Sequence, residues 1–113
     1  MGPLARKDVV LFAFPYADLS NRKLRPCLVL SPEMGDDVLL CQITSQKILK
    51  DNYAVELKNK DTLAGRLQID SFIRANKLFT ADIRLVHRKI DAVNDQTYTQ
   101  VVHVISTLIQ PNQ

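Results

Sequence analysis

Two short segments contain side chains that can bind a phosphate group. In "LRPCLVLS", Arg25 and Pro26 stand directly before a short apolar run, and in "LLCQITSQ" Thr44, Ser45 and Gln46 end or follow another. A guanidinium group is permanently charged and can donate two parallel hydrogen bonds to phosphate oxygens. Hydroxyl and amide groups can donate further hydrogen bonds to such oxygens. These residue types therefore suit the stabilisation of negative charge on a phosphate.

Strand pairing predicts how the two segments meet. Pro26 begins the second predicted strand, and Thr44 follows the end of the third. Neighbouring antiparallel strands bring the start of one beside the end of the next, so Arg25 and Thr44 are predicted to lie at one rim. The residue before a proline is biased toward extended backbone, which agrees with a strand entry at Arg25. Taken alone, Arg25 is better explained as a solvated charge before a strand than as a phosphate-binding residue.

Short apolar runs separated by polar, glycine or proline residues predict a mainly β fold. The predicted strands are Val9–Phe14, Cys27–Leu30, Val38–Ile43, Tyr53–Leu57, Leu67–Ile73 and Leu85–Ile90. From Asp95 to Ile109 apolar residues recur every three or four positions, which predicts a C-terminal helix. Asn94 is its predicted N-cap, and Pro111 prevents its continuation. These elements favour a small, strongly bent sheet closed into a partial barrel.

Length and composition limit the class of protein. A chain of 113 residues can bury one hydrophobic core, so we predict a single domain over residues 1–113 with a flexible start at residues 1–6. The longest apolar run is far below the roughly 18 residues needed to span a bilayer, and no signal-peptide pattern precedes it. We therefore expect a cytoplasmic protein without a membrane partner. The net charge of +3 weakly favours a polyanionic partner.

The sequence predicts neither a metal site nor a disulfide. His87 and His103 have no carboxylate or cysteine at ligand spacing, so we expect both to be solvated. Cys27 and Cys41 lie inside apolar runs, where a thiol usually acts as a small hydrophobic group. We expect two free buried thiols, no bound metal and no cofactor.

Three segments in this order, "DVVLFAFPYADLSNRKLRPCLVLS", "LLCQITSQ" and "DSFIRANKLFTADIRLVHRKI", resemble the MazF/PemK family of toxin ribonucleases from bacterial toxin–antitoxin systems. The resemblance spans about Lys7 to Ile109. It implies a small SH3-like partial barrel of the MazF/PemK/CcdB type, usually a homodimer, that cleaves single-stranded RNA without a metal or cofactor. It also implies inhibition by a cognate antitoxin, with DNA binding through the antitoxin complex.

The resemblance further implies which residues act on the RNA. The catalytic arginine and threonine of the family match Arg25 and Thr44, and an acidic residue that contributes in some members matches Asp70. Two positions depart from the family. Lys7 stands where a glycine is common, and Gln68 stands where some members have an arginine that serves the reaction.

The chemistry that this resemblance implies sets three tasks. The neighbouring 2′-hydroxyl attacks the phosphate, leaving a 2′,3′-cyclic phosphate and a free 5′-hydroxyl, so the site must remove a proton, stabilise negative charge and protonate the leaving oxygen. A guanidinium group stays protonated, so we predict that Arg25 stabilises charge rather than acting as the base. Thr44 is predicted to donate its hydroxyl to a phosphoryl oxygen. Asp70 is a candidate base, with a solvated carboxylate as the equal alternative.

A second set of residues is predicted to bind the substrate beside the candidate catalytic residues Arg25, Thr44 and Asp70. They are Pro26, Ser45, Gln46, Arg22, Lys23, Tyr16 and Gln68. Pro26 fixes the strand entry, and the basic residues would attract phosphates. Tyr16 could stack on a base. Each of them is otherwise an ordinary turn or surface residue.

Two other functions fit a barrel of this kind. A non-catalytic toxin like those of the CcdB family would bind and poison DNA gyrase, and it would not need Arg25 and Thr44 at one rim. An inactive, purely structural barrel is the third alternative. The combination of the "RP" pair with "ITSQ" favours the ribonuclease, although the RNA sequence that it would cut depends on the shape of its loops.

Overall fold

A computed structural model describes residues 2–14, 23–46 and 51–111. Its elements are β1 (Asp8–Phe14), β2 (Lys23–Val29), β3 (Asp37–Thr44), β4 (Ala54–Leu57), β5 (Ser71–Asp82), β6 (Val86–Ala92) and α1 (Asp95–Ile109). Single 3-10 turns precede β5 at Asn59–Asp61 and follow it at Ile83–Leu85. The strands form one sheet in the order β4-β5-β3-β2-β1-β6, and each neighbouring pair is antiparallel.

The sheet is open, because β4 and β6 are its two edges. The segment that follows β4 nevertheless reaches the β6 end of the sheet, where the N–H of Leu63 donates to the carbonyl of Ala92 at 2.8 Å. An isolated bridge joins Thr62 to Val93 beside it. The predicted class, mainly β with a C-terminal helix, is confirmed, and the sheet is bent without closing into a complete barrel.

Each face of the sheet buries its own apolar core. Leu28 and Ile73 lie on the face that packs against Val101 of α1. Cys27 and Leu40 lie on the opposite face, in a second core. Successive side chains of a strand point to opposite faces. Residues an even number of positions from Cys27 on β2, or from Leu40 on β3, therefore lie on the face away from α1.

The helix α1 has the bounds that the sequence predicts. The side chain of Asn94 caps it by accepting the N–H of Thr97 at 2.8 Å, which satisfies one of the unpaired donors of the first turn. The hydroxyl of Tyr98 donates to the carbonyl of Leu30 at 3.2 Å and so joins the helix to the sheet. Within the described residues, no helix has the length and apolar character that crossing a membrane requires.

The fifth strand differs from its prediction. The predicted strand Leu67–Ile73 is wrong in its first half, because β5 begins at Ser71 and continues to Asp82. Residues 66–70 form a loop instead, and the side-chain amide of Asn59 donates to the carbonyls of Gly65 at 2.7 Å and Leu67 at 2.8 Å. Side-chain donors of this kind satisfy the backbone without a strand partner.

The start of the chain also differs from its prediction. Leu4 is 4% exposed and belongs to the core on the face away from α1. Its N–H donates to a carboxylate oxygen of Glu33 at 2.7 Å, and the N–H of Ala5 donates to Asp8 at 2.9 Å. The expected flexible start at residues 1–6 is therefore replaced by a packed segment from Leu4 onward.

Candidate functional site

Arg25 and Thr44 meet at the end of the face away from α1. Cys27 on β2 pairs with Gln42 on β3, and continuing this register by two residues places Arg25 opposite Thr44. Both residues are in step with the core residues Cys27 and Leu40, so they extend the same face beyond the point where its apolar core ends. The ends of β2 and β3 thereby create one polar rim.

The rim borders a cleft of about 330 Å³ that we call the arginine cleft. The ends of β1, β2 and β3 form its walls together with β5. Its lining residues are Phe14, Arg25, Pro26, Gln42, Ile43, Thr44, Gln46 and Arg74. Among these lining residues are two guanidinium groups and no carboxylate, so the cleft is suited to an anion.

The turn after β3 orients the hydroxyl of Thr44. Its Oγ1 accepts the backbone N–H of Gln46 at 3.1 Å. A hydroxyl that accepts at its oxygen keeps its own hydrogen for donation. Because Thr44 is the last residue of β3 and lines the arginine cleft, it can donate to a group that binds there.

A second cleft of about 430 Å³ shares Arg25, Pro26, Ile43 and Thr44 with the first, and we call it the loop cleft. Residues 66–69 form one of its walls. The remaining lining residues are Leu11, Lys23, Leu24, Ser45, Ser71 and Ile90. Its apolar side chains beside cationic groups are suited to a planar ring attached to a phosphate.

A buried carboxylate on β6 holds the wall of the loop cleft in place. Asp91 is 6% exposed and accepts the N–H groups of Ala64 and Arg66, each at 2.9 Å, and of Ala92 at 2.8 Å. Burial by itself raises the pKa of Asp91, but these hydrogen bonds outweigh it and hold the pKa below its ordinary value. The carboxylate is therefore charged at neutral pH and fixes residues 64–66.

Most of the predicted site residues fall in these two clefts. Those that line at least one cleft are Arg25, Thr44, Pro26, Ser45, Gln46, Lys23 and Gln68. Tyr16 and Arg22 lie outside the described residues. The register of β2 and β3 accounts for the grouping, because it is the register that brings Arg25 opposite Thr44.

Asp70 does not join the others. It is exposed and precedes β5, although the sequence placed it inside a strand. Its neighbours Ile69 and Ser71 line the loop cleft, whereas Asp70 is absent from the lining of both clefts.

The sequence prediction missed Arg74 and Gln42, which face each other across β5 and β3. Arg74 follows the buried Ile73 and so belongs to the opposite face. Extending the predicted strand by one residue would have placed Arg74 beside the site. Asp51 was also missed; its side chain is 7% exposed, and its Oδ2 lies 3.8 Å from the Nε of Arg74.

Other groups that could do chemistry lie away from this rim. Cys27 and Cys41 are free and buried, and burial raises the pKa of each thiol to about 12. His87 and His103 are exposed. Across the described ranges, no three His, Cys, Asp or Glu side chains are grouped so that they could hold a metal ion. A larger depression of about 750 Å³ between β4 and α1 includes Glu56 and His103, but it contains neither Arg25 nor Thr44.

Solved structures show the same fold. The MazE–MazF complex (Form-II) from Deinococcus radiodurans matches with a TM-score of 0.76 at 18% identity, covering 97% of this chain and 98% of that one. An endoribonuclease in complex with its cognate antitoxin from Mycobacterial species matches with a TM-score of 0.71 at 16% identity, covering 95% and 93%. A MazF toxin of Mycobacterium tuberculosis matches with a TM-score of 0.70 at 15% identity, covering 88% and 93%.

Sequence comparison identifies the family at the level of the whole chain. No curated protein sequence gives a match. The family described as "PemK-like, MazF-like toxin of type II toxin-antitoxin system", in contrast, matches residues 5–109. This range includes every described residue of the two clefts and all the strands and the helix. The chain therefore belongs to the PemK-like, MazF-like toxin family of type II toxin–antitoxin systems.

Proposed function

We propose that this protein is an endoribonuclease toxin that cleaves single-stranded RNA without a metal ion. The observation that carries the proposal is that Arg25 and Thr44 both line each of the two clefts. Family membership supports the same activity. We expect the protein to encounter and cleave its RNA substrate in the cytoplasm. A cognate antitoxin would inhibit the toxin by covering this surface.

The proposed reaction begins with attack of the 2′-hydroxyl oxygen on the adjacent phosphorus. The new bond closes a 2′,3′-cyclic phosphate, the bond from phosphorus to the 5′-oxygen breaks, and that oxygen gains a proton. Arg25 donates to the phosphoryl oxygens as their negative charge increases, because its guanidinium group remains charged and planar. Thr44 donates its hydroxyl to the same group, and Gln46, which lines the same cleft, orients it through its side-chain amide.

The base that removes the 2′-hydroxyl proton stays unassigned among the described residues. Arginine is a poor base because it remains protonated. Asp70 lines neither cleft, so we expect Asp70→Asn to cleave RNA at close to the wild-type rate. A loss of cleavage in that variant, with folding intact, would restore Asp70 as the base.

The test uses a long RNA of low structure incubated with the protein in EDTA, followed by mapping of new 5′ ends and of cyclic phosphate termini. We expect cleavage by the wild type and a loss on the order of 10²-fold or more in Arg25→Ala and in Thr44→Ala. Abolition of wild-type cleavage by EDTA would refute the metal-free reaction. Undiminished cleavage in both variants would refute the site. Inhibition of gyrase supercoiling without any RNA cleavage would favour the non-catalytic alternative.

We also propose that two copies of the chain associate. The support is the exposed apolar side chains of α1, among which Ile109 is 71% exposed and Leu108 is 42% exposed. Exposed apolar groups that share one helix are typical of a contact surface. Measurement of molar mass in solution tests this, and a mass of 12.8 kDa at high concentration would contradict it.

A further inference from the structure

A second arginine lies on the same face as Arg25 and Thr44. Gln42 and Thr44 on β3 pair with Arg74 and Phe72 on β5, while Ile43 pairs with the buried Ile73 between them. Because side chains alternate, Arg74 shares the face of Gln42 and Thr44. Arg25 and Arg74 thus approach the arginine cleft from strands on either side of β3.

An irregularity in β5 begins immediately after Arg74. Gln42 pairs with Arg74, but the preceding residue on β3, Cys41, pairs with Leu78. Residues 75–77 of β5 therefore have no partner on β3 at this point. Bulges of this kind bend a strand and redirect the neighbouring side chain, and they are frequent beside functional sites. The bulge accounts for a long cationic side chain at the edge of the cleft.

The guanidinium group of Arg74 is incompletely satisfied. Its Nε is buried and has no hydrogen-bond partner among the described residues. A carboxylate oxygen of Asp51, Oδ2, lies 3.8 Å away, which is too long for a hydrogen bond. The other oxygen of Asp51 accepts the N–H of Tyr53 at 2.9 Å. A pair that served only to stabilise the fold would be expected to close this gap, since a buried unpaired donor is costly.

We propose that Arg74 is a second phosphate-binding residue for the RNA substrate and that Asp51 positions its guanidinium group. The proposal rests on the proposed ribonuclease function and extends it. The Arg74 side chain is 26% exposed and lines the arginine cleft, so it combines a buried Nε beside Asp51 with contact to the cleft. The described lining of this cleft contains both arginines and no carboxylate, and an RNA phosphate is an anion that guanidinium groups bind through paired hydrogen bonds.

Binding of a 2′-O-methylated RNA, which cannot be cleaved, tests the contact directly. Each phosphate contact to single-stranded nucleic acid contributes about 0.7 to the slope of the logarithm of the binding constant against the logarithm of salt concentration. We expect Arg74→Gln to reduce this slope by about 0.7 and Arg74→Lys to leave it unchanged. The matched control is Arg84→Gln, since Arg84 is exposed, lies beyond the other end of β5 and lines neither cleft; its slope should equal that of the wild type.

Cleavage by the same variants tests whether the guanidinium group of Arg74 contributes to the reaction. We expect Arg74→Gln to lower cleavage on the order of 10²-fold. Arg74→Lys should lower it by about tenfold, since lysine keeps the charge but loses the two-pronged geometry. Asp51→Asn, which removes the carboxylate charge beside Nε, should lower cleavage while leaving the salt slope unchanged. Circular dichroism of each variant reports whether it folds, and Arg74→Lys provides the test if Arg74→Gln does not.

The outcomes separate this inference from the proposed function. If the wild type cleaves RNA and Arg74→Gln keeps both the wild-type slope and the wild-type rate, the inference about Arg74 is overturned and the ribonuclease stands. A wild-type rate in Arg74→Lys together with a failure of Arg74→Gln to fold would show a structural function only. If the wild type neither binds nor cleaves RNA, the proposed function fails, and the inference about Arg74 fails with it.

Discussion

The carboxylate of Asp91 on β6 accepts the backbone N–H of Arg66 at 2.9 Å, although 25 residues separate them in the chain. The other oxygen of the same carboxylate accepts the N–H groups of Ala64 and Ala92. Because residues 66–69 are a wall of the loop cleft, one buried side chain of the sheet determines the shape of a cleft that borders Arg25.

Asp91→Asn is expected to destabilise the protein by about 1–3 kcal/mol. The amide keeps a single accepting oxygen, so at least one of the three N–H groups now held by the carboxylate loses its partner in a partly buried position. Urea denaturation measures the effect. The same variant should bind RNA more weakly, since residues 64–66 are released, and an unchanged midpoint with unchanged binding would contradict this account.

The stabilising effect of Asp91 is expected to depend on pH. Hydrogen bonds hold the pKa of Asp91 below its ordinary value in the folded protein. Its contribution is therefore complete above the unfolded-state pKa of about 3.9 and is lost as the pH falls through the lower folded-state value. The difference in free energy of unfolding between the wild type and Asp91→Asn should be constant near pH 7 and should narrow below pH 4.

Comparison with the variant is needed because a second carboxylate titrates in the same acidic range. Hydrogen bonds from Arg84 lower the pKa of Asp82 to about 2. Asp82 is present in both proteins, so its effect cancels in the difference between them. A difference that widened on acidification would contradict the assignment to Asp91.

Lys7→Gly is expected to be more stable than Lys7→Ala by about 1 kcal/mol. Lys7 has a φ of 81°, a left-handed conformation that a β-carbon disfavours. Its N–H donates to Val29 at 3.0 Å and its carbonyl accepts from Val93 at 2.9 Å, so the conformation is fixed from both sides. Both variants lose the ion pair between Lys7 and Asp95. The difference between their thermal midpoints therefore measures the cost of the left-handed backbone conformation at residue 7. Equal midpoints would show that the turn is unstrained.

The two thiols are expected to be unreactive in the folded protein. Cys27 and Cys41 are fully buried, and burial raises the pKa of each to about 12. Only the thiolate reacts with a disulfide reagent. At pH 8 labelling should therefore be slow in buffer and rapid in denaturing urea, with two thiols modified per chain. Rapid labelling without urea would show that the sheet opens locally around β2 and β3.

Arg25→Lys is expected to separate the effect of positive charge from the effect of guanidinium geometry in the arginine cleft. Lysine preserves the positive charge but cannot donate two parallel hydrogen bonds to a phosphate. Cleavage should fall on the order of 10²-fold, while the salt dependence of RNA binding stays at the wild-type value. Arg25→Ala provides the comparison, because it should lower both. A fully active lysine variant would show that charge alone suffices.

Features that depend on local patterns can be predicted from the sequence alone. The bounds of α1 follow from its apolar period, from the cap at Asn94 and from Pro111 beyond its end. The meeting of Arg25 and Thr44 also follows from short-range information, because it needs only the order of two antiparallel strands. Four of the six strands lie within two residues of their predicted bounds for the same reason, whereas β2 begins at Lys23, four residues before its predicted start at Cys27.

Features that depend on contacts between distant segments cannot be predicted in this way and are seen only in the folded chain. Residues 66–70 resemble a strand in sequence but form a loop, because Asn59 and Asp91 satisfy the backbone from elsewhere in the chain. The bulge at residues 75–77, directly after Arg74, is set by the pairing of β5 with β3. Hydrogen bonds and register between distant segments have no local signature, so the approach of Asp51 to the Nε of Arg74 is visible only in the folded chain.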